Sequence, residues 1–173
     1  GETEFVTGVA AMSASGLYGP TECCAGIVGH VDLGIGARAG ELLEKHIVAA
    51  GGRFRGIRNN STWHQDPFFG IFSGGAPAGL LRDPVWRQGF ACLAPLDLAF
   101  DAWMFHPQIG DLVDLARAFP ETRIVLNHVG GAVMIGPYAS KREAAFAEWS
   151  GNIRALAACP NVYIKLGGLG MRL

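Results

Sequence analysis

Residues 123–131 read Arg-Ile-Val-Leu-Asn-His-Val-Gly-Gly and hold the clearest strand signal in the chain. A short aliphatic run bounded by turn residues predicts a buried strand over residues 123–129. His128 closes this run just before two glycines, so the backbone leaves room beside its imidazole ring. A catalytic or metal-binding role for His128 is therefore favoured over a structural one.

Similar runs lie on either side of this stretch, and segments with helical spacing separate them. The predicted strands cover residues 23–28, 54–58, 98–105, 123–129 and 162–166, and the predicted helices cover residues 2–13, 42–48, 83–94, 112–119 and 144–158. This alternation predicts an α/β fold with a parallel sheet and right-handed crossovers. An open doubly wound sheet would carry a glycine-rich phosphate loop, and the sequence has none. A closed (β/α)8 TIM barrel needs eight strands and about 250 residues, so the chain of 173 residues would be a partial barrel.

Composition narrows the class of protein. Apolar types make up 50% of the residues and charged types 17%, which predicts one core-rich domain and excludes a disordered or coiled-coil chain. The net charge of −1 excludes nucleic acid binding by bulk charge, and no apolar run approaches the roughly 20 residues of a membrane span. The four cysteines show no CxxC spacing, so we expect reduced thiols in a cytoplasmic protein.

Polar side chains stand where the predicted strands end. In chain order they are His30, Arg58 with Asn59, His106 with Gln108, Asn127 with His128, and Lys165. Because the carboxyl ends of parallel strands meet at one rim, we expect these side chains to converge in a polar pocket.

Several of these residues also have a structural interpretation. A hydrogen-bonded histidine near a turn explains His30 as well as a substrate contact does. For Arg58, whose neighbour on the same strand face is a glycine, carboxylate binding by the guanidinium fork is favoured over an ion pair. A surface position or a helix cap explains His106 as well as ligand binding does. Structural pairing is favoured for Lys165 and for Asp101, an acid within an apolar strand that needs a partner.

Residues 59–80 are rich in glycine and phenylalanine and show no period, which predicts a functional loop in which His64 would form part of a lid. Its aromatic side chains would pack over an organic ligand or, the commoner arrangement, form a satellite core beneath the loop. These aromatic residues are Trp63, Phe68, Phe69 and Phe72.

Three stretches together carry a family resemblance: residues 54–58 (FRGIR), 105–108 (FHPQ) and 123–131. They resemble the amidohydrolase-related TIM-barrel hydrolases, and within the amidohydrolase superfamily the branch of lactonases that act on sugar-acid and dicarboxylic lactones. The resemblance implies that residues 1–173 form a single incomplete barrel domain of about strands three to seven, with the first two and the last strand missing. The His-x-His pair and the aspartate that family members carry on the first and last strands have no counterpart in this sequence.

The resemblance also implies roles for individual residues. It makes His128 and His106 catalytic and candidate ligands of a divalent metal, zinc or manganese, while Arg58, His30, Gln108 and Lys165 would bind the substrate. Members of the family differ in metal dependence. Two histidines alone would bind a metal weakly, since catalytic zinc usually has three protein ligands.

The implied function is hydrolysis of a lactone or related ester-type bond in a small carboxylated substrate. His128 would polarise the carbonyl, and Arg58 would bind the carboxylate or oxyanion. Without the missing strands, the chain alone is expected to be an inactive piece of its parent enzyme. A non-oxidative decarboxylase of the same superfamily is the alternative enzyme, and a non-catalytic partial barrel that forms homo-oligomers through its open strand edges is the alternative from another class.

Overall fold

The computed structural model describes residues 1–71 and 75–169. The strands are β1 (Ile27–Gly29), β2 (Phe54–Asn60), β3 (Ala99–Trp103), β4 (Ile124–Leu126) and β5 (Val162–Ile164). The α-helices are α1 (Glu2–Ala14), α2 (Ala39–Ala49), α3 (Pro84–Phe90), α4 (Ile109–Ala118) and α5 (Arg142–Ala157). None of the helices in the described residues is long and apolar enough to cross a membrane.

The five strands form one parallel sheet in the order β1-β2-β3-β4-β5, which confirms the predicted α/β class. Arg58 pairs with Asp101 in register, Asp101 with Val125, and Val125 with Tyr163. Register partners in a parallel ladder point to the same face, so these four side chains share one face of the sheet. Tyr163 and Arg58 are exposed on this face.

The hydrophobic core lies against the other face of the sheet. Ile57, Phe100 and Ile124 are fully buried there among side chains of the helices. Helix α3 begins after Asp83, whose carboxylate accepts hydrogen bonds from the first turn of the helix, as the Asp-Pro pair in the sequence indicates. The helices therefore hold the sheet from one side and leave the charged side chains on the opposite face.

Gly56 allows β2 and β3 to approach each other closely. A Cβ atom at this position would overlap the carbonyl oxygen of Ala99 on β3. Two residues further along β2, Arg58 lies beside Asp101. The glycine at position 56 therefore helps to bring Arg58 and Asp101 together.

The segment after β2 forms a second small core. Phe69, Phe105 and Val133 are fully buried together, with Ile135 and Tyr138 packed against them. The satellite core considered for this loop is thus present, and the turn Pro67–Ile71 contributes Phe69 to it. Phe72 lies outside the described residues.

The bounds of all five strands differ from the predicted ranges, by at most four residues at either end; β4 ends at Leu126, so His128 lies in the 3-10 turn His128–Gly130 that follows it. The first begins at Ile27 instead of residue 23, because residues 23–26 turn and Cys24 has a positive φ of 55°. The third stops at Trp103, so His106 lies beyond the strand in a 3-10 turn, His106–Gln108. That shift moves His106 away from the strand rim.

Candidate functional site

A buried carboxylate joins two cations at the carboxyl ends of the strands. Asp101 is 4% exposed, and its Oδ2 accepts hydrogen bonds from Arg58 Nη2 at 3.2 Å and from Lys165 Nζ. Arg58 and Lys165 are 46% and 44% exposed. The predicted structural pairing of Asp101 and Lys165 is confirmed. Arg58 forms an ion pair too, yet both cations remain open to solvent.

Asn127, which directly follows β4, holds the guanidinium of Arg58 in place. With its amide oriented to satisfy the network, its oxygen accepts from Arg58 Nε at 3.1 Å and from Nη2 at 3.2 Å. Within the described residues, Arg58 Nη1 makes no hydrogen bond, and Lys165 Nζ donates only to Asp101. The unused donors of both cations are therefore available to an anion.

His128 stands beside this cluster in an unusual backbone conformation. Its φ is 52°, and Val129, Gly130 and Gly131 continue with positive φ values. The ring of His128 meets the ring of Trp103 edge to face, with 5.1 Å between centroids. Its Nδ1 is buried without a hydrogen-bond partner in the described residues. The next residue, Val129, donates its N–H to the carbonyl of Lys165 at 3.3 Å, which joins the turn at His128 to the backbone of Lys165.

His30 belongs to the same rim. Its Nδ1 lies 3.0 Å from the carbonyl oxygen of Arg58. A carbonyl only accepts hydrogen bonds, so Nδ1 carries the proton and Nε2 is free to accept. His30, Arg58 and Asn60 line an open groove of about 430 Å³. The structure thus brings His30 and Arg58 together as predicted, while contact of either with substrate stays a prediction.

His106 is not part of this groove. Its side chain is 0% exposed, which makes the surface position considered for it wrong. Its Nδ1 accepts a hydrogen bond from the N–H of Val133 at 3.0 Å. Burial, helped by the nearby His64 ring, lowers the pKa of His106 to about 4, so the ring is neutral at pH 7 and forms no ion pair with Glu148, whose carboxylate is 3.8 Å from Nε2.

Gln108 does not line the groove; its side chain forms hydrogen bonds to the backbone of two segments. Its Oε1 accepts from the backbone N–H groups of Trp63 at 3.0 Å and Phe105 at 3.2 Å, and its Nε2 donates to the carbonyl of Ser61 at 2.7 Å. These bonds join the segment after β2 to the turn after β3. The predicted contact of Gln108 with substrate stays a prediction.

The donor set in this part of the chain does not fit a zinc ion. No group of three or more His, Cys, Asp or Glu side chains within residues 1–71 and 75–169 is placed to hold a metal. Of the two predicted ligands, His106 is sealed from solvent and its Nδ1 already accepts a hydrogen bond. The metal therefore stays a prediction for the parent protein.

One residue of the site was not singled out from the sequence. Trp103 lies two positions after Asp101 on β3, so strand alternation alone would have placed it on the same face. The position of Asn127 at a strand end follows from the sequence, but its contact with Arg58, which is distant in the chain, does not.

Comparison with known proteins shows which family the chain resembles. The sequence model of the amidohydrolase family matches residues 21–172. The uncharacterised protein y4mH of Sinorhizobium fredii is 38% identical over 84% of this chain and 45% of its own length. The L-fucono-1,5-lactonase of Burkholderia ambifaria is 32% identical over 86% of this chain and 44% of its own length.

A solved structure shows the same arrangement of strands and helices. It is an amidohydrolase of Burkholderia multivorans with bound zinc, matched at a TM-score of 0.72 and 26% identity over 99% of this chain and 51% of that one. This match confirms the predicted partial barrel. The chain spans about half the length of the curated relatives it matches.

Proposed function

Because this chain belongs to the amidohydrolase family, we propose that its parent protein hydrolyses a lactone or related ester-type bond in a small carboxylated substrate. The observation that carries the proposal is the pair of half-exposed cations on Asp101, next to His128. The similarity to proteins named L-fucono-1,5-lactonase supports a lactone as the bond that is opened.

The substrate carboxylate binds at Arg58 and Lys165. Asp101 uses one donor of each cation, and the three groups together carry a charge of +1, which attracts an anion. Asn127 and Asp101 fix the plane of the guanidinium, so its free donors point in a defined direction. Arginine held in this way binds a carboxylate with good geometry because little side-chain freedom is lost on binding.

His128 is the residue that acts on the carbonyl group of the substrate. Opening a lactone requires that a water molecule attack the carbonyl carbon and that the negative charge on the oxygen be stabilised. The Nδ1 of His128 is buried, so Nε2 is the nitrogen that serves the substrate, and its N–H donates to the carbonyl oxygen as charge develops there. No step in this proposal passes through a metal, since the described residues do not form a metal site.

We assign the base that activates water to the part of the barrel outside this chain. Asp101, the buried carboxylate of the rim, already accepts hydrogen bonds from both cations. We therefore expect this chain alone to bind a substrate analogue without turning substrate over. Turnover would require the remainder of the barrel.

The test of hydrolysis uses this chain beside a version extended by the segments that its longer relatives contain. Acid release from a panel of sugar-acid and dicarboxylic lactones is followed with a pH indicator, and carbon dioxide release is measured in parallel. We expect turnover by the extended protein, its loss in His128→Ala, and retention in the control His46→Ala, which lies on α2. Carbon dioxide release without ring opening would favour the decarboxylase, and turnover by the short chain would refute the assignment of the missing base.

The test of binding uses this chain alone and a dicarboxylate analogue in calorimetry. Loss of a charge-assisted hydrogen bond weakens binding by about tenfold to a hundredfold, so we expect that loss in Arg58→Met and in Lys165→Met. Arg55→Met is the matched control, since Arg55 lies on the same strand and bonds to the backbone of Gly52 and Phe54. Equal affinity in all three variants would contradict the proposed anion site.

A further inference from the structure

We propose that His106 is a positioning residue that holds the turn of residues 128–133 and thereby fixes the imidazole of His128. This inference rests on the proposed function, because it assigns His128 the chemistry. His106 itself does not touch the substrate, since its side chain is fully buried. It acts through the backbone of the turn that follows β4.

The turn needs to be held because its backbone is unfavourable. Four consecutive residues, His128 to Gly131, have positive φ values between 49° and 78°. Glycine adopts this region freely, but His128 does so at a cost, and the β-branched Val129 is a marked outlier. Such a conformation persists only where the surrounding structure determines it.

His106 supplies two hydrogen bonds to the far end of this turn. Its backbone N–H donates to the carbonyl of Gly131 at 3.1 Å, and its Nδ1 accepts from the N–H of Val133 at 3.0 Å. A side chain cannot replace the hydrogen on Gly131, because a Cβ atom there would lie 2.5 Å from the carbonyl oxygen of Met104. The turn is thus fixed against the segment that leaves β3.

Helix α5 forms hydrogen bonds to both His106 and the turn. Asn152 donates to the carbonyl of His106 at 3.2 Å, and Trp149 Nε1 donates to the carbonyl of Val129 at 2.7 Å. His106 and the turn are therefore anchored to the same helix. Loss of the His106 ring would leave the Trp149 bond and the backbone bond to Gly131, and it would remove the hydrogen bond that holds the N–H of Val133.

The protonation state of His106 suits an acceptor. Because burial keeps its pKa low, the neutral ring carries its proton on Nε2 and leaves the Nδ1 lone pair for Val133. The groups that face the ring are Tyr138, which packs edge to face at 5.3 Å, the His64 ring, and Glu148 at 3.8 Å from Nε2. Within the described residues, Nε2 has no hydrogen-bond partner.

The first experiment needs no variant. Long-range ¹⁵N–¹H correlation spectra of this chain at pH 7 report which ring nitrogen carries the proton. We expect an unprotonated Nδ1 in His106 and slow hydrogen exchange at the Val133 amide. A proton on Nδ1, or a rapidly exchanging Val133 amide, would overturn the proposal whether or not any variant folds.

The second experiment compares His106→Leu with His106→Asn, because the asparagine oxygen can stand in for Nδ1 as acceptor. The readout is the nuclear Overhauser effect between the rings of His128 and Trp103. We expect its loss in the leucine variant, with Val133 amide exchange about tenfold faster, and its recovery in the asparagine variant. The control is His46→Leu, which loses the Thr3–His46 bond on α2 and should keep the ring contact.

These outcomes separate a positioning role from a merely structural one. A leucine variant that unfolds more easily but keeps the contact between His128 and Trp103 would show that His106 only stabilises the fold. All these spectra are recorded without substrate. An extended protein that fails to open lactones would therefore refute the proposed function and leave this inference intact.

Discussion

Replacing Asp101 by asparagine removes the negative charge that Arg58 and Lys165 share. Breaking a buried ion pair costs about 3–5 kcal/mol when one partner is lost. Here both cations are almost half exposed, so water still solvates them, and asparagine keeps one acceptor oxygen. We therefore expect Asp101→Asn to lower the free energy of unfolding by about 2 kcal/mol, which for a chain of this size lowers Tm by about 4–8 °C.

Thermal and urea unfolding followed by circular dichroism measures this loss. Asp97→Asn is the matched control, because Asp97 pairs with Arg123 at 2.7 Å but is 86% exposed. Exposed pairs contribute at most about 1 kcal/mol, and asparagine also tolerates the positive φ of this position. Equal losses in the two variants would refute the argument that the buried carboxylate organises the rim.

Three further predictions follow from other parts of the molecule. Gly56→Ala should destabilise the chain by at least about 3 kcal/mol in urea unfolding, because the new methyl group overlaps Ala99. The control Gly110→Ala, on an open helix face, should be neutral or stabilising by up to about 1 kcal/mol. Similar effects of the two substitutions would contradict the close approach of β2 and β3. Because the pKa of His106 is lowered from 6.5 to about 4, the folded chain binds fewer protons than the unfolded chain between these pH values. About 3 kcal/mol of the free energy of unfolding is therefore lost as the pH falls from 6.5 to 4, and urea unfolding across that range should show the loss. The same pH dependence in His106→Asn would show that His106 is not its cause. Strands β1 and β5 each have one edge without a strand partner in the described residues, which predicts self-association; sedimentation velocity should show a rising mass with concentration, and a monomer throughout would count against it.

Local patterns in the sequence predicted the order of strands and helices and part of the candidate site. Alternating runs predicted the parallel sheet, and the strand ends placed His30, Arg58, His128 and Lys165 on one rim. These predictions succeed because strand direction and side-chain alternation are local properties that the rest of the fold preserves.

The site of His106 shows where that reasoning ends. From the sequence, its strand extends to residue 105, which would put His106 on the rim. The strand ends at Trp103, and the chain then turns beneath the core of Phe69, Phe105 and Val133. That core joins segments far apart in the chain, so no local pattern could predict that it buries the ring.

The order of strands in the sheet has a consequence for how the molecule forms during synthesis. Each strand pairs with the one made just before it, so the sheet can grow by one strand at a time as the chain leaves the ribosome. Asp101 and Lys165 are 64 residues apart, which at roughly 5–20 residues per second separates their appearance by about 3–13 seconds. During that interval Arg58 is the only one of the two cations that has been synthesised. The rim thus acquires its second cation only when the last of the described strands is in place.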